Sequence, residues 1–80
     1  MNYRIYDRLN NIEGDYQDEF HVAGVKNYLN ARSGPGTDYA IIDKLDKGTP
    51  VEVISRQGVW WFVETKTGQQ AWCHSKFLAR

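Results

Sequence analysis

Leu29-Asn30-Ala31-Arg32-Ser33-Gly34-Pro35-Gly36-Thr37-Asp38 is the stretch on which the fold turns. A short alternating run ends at Arg32 and is cut off by Ser33-Gly34-Pro35-Gly36. Proline locks φ and has no N–H to donate, while the glycines tolerate positive φ, so this cluster reads as a sharp bend that ends a strand. Outward from it, a second alternating run covers Pro50 to Ser55 and a third covers Trp60 to Thr65. Short alternating runs divided by glycine-containing turns, here Lys47-Gly48, Gln57-Gly58 and Thr67-Gly68, mark a small all-β domain.

The same residues carry a resemblance. Leu29-Asn-Ala-Arg-Ser-Gly-Pro-Gly-Thr-Asp-Tyr39, Leu45-Asp-Lys-Gly48, Val51-Glu-Val53, Gly58-Val-Trp-Trp-Phe-Val63 and Ala71-Trp-Cys-His-Ser-Lys-Phe-Leu78 follow one another as the motifs of a bacterial SH3 domain do. The resemblance covers roughly residues 25 to 80 and departs from the usual pattern at Ala71, where glycine is common, and at Cys73, where valine is common. It implies an SH3-like β-barrel of about five strands, in which Arg32 to Leu45 is the large first loop and Ser75-Lys76-Phe77 the short 3₁₀ turn before the closing strand. The expected organisation is an acidic amino-terminal extension over residues 1–24 and a barrel over residues 25–80.

Composition fits that size. Of a chain of 80 residues, only about 60 to 65% of the unfolded surface is buried on folding, so its core must be compact. Three Trp, five Tyr and three Phe supply large rings for it. Ten basic and ten acidic residues cancel, which argues against a nucleic-acid-binding protein. The charge is unevenly spread. Before residue 25, five carboxylates face Arg4 and Arg8, a net of −3; from residue 25 on, eight cations face five carboxylates, a net of +3. A single cysteine rules out an internal disulfide, and no apolar run is long enough to cross a membrane. The amino terminus lacks the apolar core of a secretory signal. The expectation is a cytoplasmic location if the chain is complete, and the cell wall or exterior if it is an excised domain.

Residues 1–24 lie outside the resemblance. Ile5, Leu9, Ile12 and Tyr16 suit one face of a short helix, and Tyr3, Ile5 and Asp7 equally suit a strand. In the strands beyond, alternation places Val51 and Val53 inward, with Glu52 and Ile54 outward. It also puts Trp61 and Val63 on one face of their strand and Trp60 and Phe62 on the other. Two aromatics on the outer face form a contact surface, to be covered by the extension, by a ligand or by a second copy of the chain in a homodimer.

Catalysis finds little support. Cys73 and His74 are the nearest thing to a reactive pair, but neighbours on a strand point to opposite faces. Cys73 is therefore read as a core residue, and Trp61 and Trp72 with it. His21, Cys73 and His74 have no metal-ligand spacing, and Gly34-Pro35-Gly36 is not a phosphate loop. No enzyme activity, cofactor or metal is expected.

What remains is a groove. By resemblance to SH3 domains, Trp60, Tyr39 and Phe77 correspond to the aromatics of a binding surface, and His74 stands where eukaryotic members carry a proline. With Phe62 on the same outer face, the expected ligand-contact residues are Tyr39, Trp60, Phe62, His74 and Phe77. Flat rings suit an extended peptide, since they offer contact area at low entropy cost. A protein or peptide partner is the favoured ligand. The alternatives are a peptidoglycan stem peptide, as for a wall-targeting module of a secreted or lytic protein, and nucleic acid stacked on rings beside Lys26, Arg32, Arg56 and Lys76.

Overall fold

Alternation along the chain builds almost all of the structure, a computed structural model that describes residues 19–80. The helix or strand pattern noted between residues 3 and 16 lies outside the described residues. The elements run β1 (Glu19–Val22), β2 (Tyr28–Arg32), β3 (Ile41–Asp46), β4 (Pro50–Gln57), β5 (Trp60–Thr65), β6 (Gln70–His74), a 3₁₀ turn (Ser75–Phe77) and β7 (Leu78–Ala79). All pair antiparallel, in the order β3-β2-β6-β5-β4-β1-β7, and the sheet curls on itself as a small SH3-like barrel.

The strand count is seven among the described residues, against about five from the resemblance. The additional strands have clear origins. The stretch Arg32 to Leu45, read as a long loop, ends in the second arm of a hairpin: β3 pairs along β2 from Tyr28↔Asp46 to Arg32↔Ile41. The sheet also begins at Glu19, ahead of residue 25. β1 pairs with β4 through Phe20↔Val51 and with β7 through Val22↔Leu78.

Inward-facing positions meet as alternation requires. Leu29 and Ala31 of β2, Val51 and Val53 of β4, and Ala71 and Cys73 of β6 are buried together with Val22, Leu45, Val63 and Leu78. The small side chains at Ala71 and Cys73 thus fill core positions, and Cys73 is fully enclosed. Trp72 departs from its expected core role. Lying between Ala71 and Cys73, it points to the opposite face and packs on Phe62, with ring centroids 5.1 Å apart. The packed partner at the end of the core is Trp61, which meets Phe20 edge-on at 5.3 Å.

A β-bulge explains why Arg56 joins that pair. Val53 faces Val63 and Ser55 faces Phe62, leaving Ile54 as the extra residue. The shift brings Arg56 opposite Trp61, with its guanidinium 4.4 Å from the ring centroid.

The turn at Ser33-Gly34-Pro35-Gly36 is real, but its chemistry differs from expectation. Neither glycine takes positive φ. Tyr39 folds back over them, and a Cβ on Gly34 would overlap its ring. Close approach of the ring is what requires glycine there. Positive φ belongs instead to the hairpin and turn glycines, as at Gly68 with φ +92°.

Candidate functional site

A groove of about 350 Å³ opens on the outer face of β2, β5 and β6, closed at one end by the 3₁₀ turn. Its position follows from strand pairing. Trp60 faces His74 across β5 and β6, and their rings meet edge-on at 5.3 Å. His74 in turn lies 6.1 Å from Phe77. These three rings line the groove from β5, β6 and the turn, Tyr28, Asn30 and Arg32 line it from β2, and Val25, Leu29, Thr37 and Lys76 complete the lining.

The turn is held by two kinds of bond. Ser75 N–H donates to the Val59 carbonyl at 2.8 Å, tying it to the loop just before Trp60. His74 serves as its N-cap, the ring Nδ1 accepting from the Lys76 N–H at 3.2 Å. In the neutral ring that bond leaves the proton on Nε2. Opposite, Arg32 is fixed by two bonds from Nη1, to the Thr37 carbonyl at 3.1 Å and the Tyr39 carbonyl at 3.0 Å. The Asn30 Oδ1 is shut off from solvent and has no hydrogen-bond partner among the described residues.

The structure brings together Trp60, His74 and Phe77 and leaves out two of the residues singled out from sequence. Tyr39 packs on Gly34 and Gly36 within its own hairpin tip and does not line the groove. Phe62 lies two residues along the strand from Trp60, against Trp72, and also stands outside the lining. Tyr28 and Asn30 were missed. The available signal was parity, because Tyr28, Asn30 and Arg32 alternate with buried Leu29 and Ala31. What parity cannot tell is that β2 lies beside β6, a contact fixed by the single pair Arg32↔Trp72.

Cys73 is not part of this surface. Burial, with a smaller contribution from the Asp43 charge, pushes its thiol up to about 12. It is therefore protonated and unreactive at neutral pH. Among the described residues, no three His, Cys, Asp or Glu side chains gather into a set that could hold a metal ion.

A curled antiparallel sheet with one ring-lined groove is the framework of a small binding module. Residues 27–79 match the family model of the bacterial SH3 domain, and the chain belongs to that family. No curated protein matches the chain. β1 lies ahead of the matched residues, although it supplies Val22 to the core.

Proposed function

We propose that the domain is a non-catalytic recognition module that holds an extended protein or peptide segment between the β2–β3 hairpin and the Ser75–Phe77 turn. Trp60 supplies the main contact wall, His74 sets the angle of that wall, and Phe77 closes the end. One observation carries the reading: three rings from two strands and a turn converge on a single open groove. Its volume, about 350 Å³, falls within the range of ordinary ligand sites. Trp60 is half-buried, its ring held at one edge by His74 and lining the groove. Phe62 and Tyr39 act as supports in this reading, the first for the sheet face and the second for the hairpin tip.

The test is affinity capture from native lysate with the wild-type chain and Trp60→Ala side by side, with isolated sacculi as a second bait. A protein held by wild type and released by Trp60→Ala is the expected result. Retention on sacculi that depends on Trp60 would move the ligand to a wall peptide. Equal retention by both chains on every bait would remove the groove from the function.

A further inference from the structure

The polar lining of this groove is one-sided, and what that implies rests on the proposed peptide site. Arg32 and Lys76 line it, and no aspartate or glutamate among the described residues does. The Nη1 bonds of Arg32 to two carbonyls fix its plane and leave the rest of its donor fork free of any carboxylate among the described residues. Lys76 is exposed, its Nζ poised 5.1 Å from the Phe77 ring centroid, and it too has no carboxylate partner among the described residues. Of the neutral polar groups in the lining, the Tyr28 and Thr37 hydroxyls can donate or accept, and two others are donors. His74 spends its acceptor nitrogen on the turn, so its remaining ring nitrogen is a donor. The Trp60 indole N–H can only donate.

Two cations with no lining carboxylate among the described residues, and donors on His74 and Trp60, are matched by a ligand rich in acceptors and negative charge. We infer that the groove takes an extended acidic polypeptide segment, its Asp or Glu carboxylates set against Lys76 and Arg32 and its apolar residues on Trp60 and Phe77. Two cations suit isolated carboxylates. They are too few for a nucleic acid, where several phosphates must be met at once.

The experiment is a selection of random extended peptides on the full chain, counter-selected on Trp60→Ala, with soluble muropeptides and a single-stranded oligonucleotide as parallel probes. Enrichment of Asp and Glu among Trp60-dependent peptides is expected. Replacing the selected acids by Gln or Asn should weaken binding about tenfold, as loss of a charge-assisted contact does. Lys76→Glu should weaken the acidic peptide at least as much and favour its Lys-substituted analogue. Trp60-dependent peptides without acidic enrichment, or Trp60-dependent binding of muropeptide or oligonucleotide alone, would overturn the acidic ligand while keeping the groove. Absence of any Trp60-dependent binding would overturn the groove reading and this inference with it.

Discussion

A methyl group on Gly34 has nowhere to go, because the Tyr39 ring already occupies its place. Gly34→Ala should therefore push the ring off the turn and destabilise the domain by about 1–3 kcal/mol, the usual cost of forced overpacking. The cause is checked by a double-mutant cycle in thermal unfolding: with Tyr39→Ala in place, the alanine at 34 should cost much less. Equal costs in both backgrounds would show that backbone conformation, not the ring, sets the requirement. Cys73 makes a second prediction at this scale. Its thiol titrates higher in the folded chain than the ordinary value of 9.0, so the protonated form favours folding. That contribution is complete below pH 9.0 and is lost as pH rises towards about 12. In this window wild type should lose stability faster than Cys73→Ala, by at most about 1.4 kcal/mol per pH unit. Parallel stability curves for the two chains in denaturant would contradict it.

Strands depend on their neighbours, and β7 shows how much. Among the described residues, Leu78–Ala79 pairs only with β1, through His21↔Ala79 and Val22↔Leu78. Val22 also donates to the Thr49 carbonyl at 3.0 Å and accepts from Gly48 N–H at 2.8 Å. A chain beginning at residue 25 would lose β1, the partner of β7 and a fully buried core valine together. It should show no cooperative melting by circular dichroism where residues 1–80 do; a cooperative transition in the shorter chain would mean that β1 is dispensable. The inward positions Val51 and Val53 of β4 and Cys73 of β6 were readable from sequence, whereas Trp72, an aromatic beside Cys73, was read as core although its parity turns it outward. β1 was not readable. Glu19-Phe20-His21-Val22 does alternate polar with apolar, but four residues after an acidic stretch are too short a run to stand out as a strand. The site was half legible for a similar reason. Trp60, His74 and Phe77 lie within motifs, whereas Tyr28 and Asn30 join them only through the lateral placement of β2 beside β6, which no local pattern records.

Across the molecule, two adjacent tryptophans are turned to opposite faces of the sheet. Trp61 faces inward at one end of the core, where Arg56 lies over it at 4.4 Å, Phe20 meets it at 5.3 Å, and Arg80 lies 4.7 Å from the Phe20 ring centroid. This row of guanidinium, indole, phenyl and guanidinium ties β4, β5, β1 and the carboxyl terminus together. Trp60 faces outward, touching His74 and the groove. Because neighbours on a strand cannot share a face, the ring at the end of the core and the ring in the groove are different residues one position apart. Trp61→Ala should cost about 3 kcal/mol, at the low end for truncating a large ring because the side chain is only half-buried. Trp60→Ala should cost about 1 kcal/mol or less, roughly the worth of one edge contact, while removing ligand retention. Urea unfolding of the two variants, read beside their retention of a Trp60-dependent peptide at a temperature where both are folded, separates the roles. A Trp60→Ala chain as unstable as Trp61→Ala would make Trp60 a structural residue, and its effect on binding would then be a consequence of unfolding.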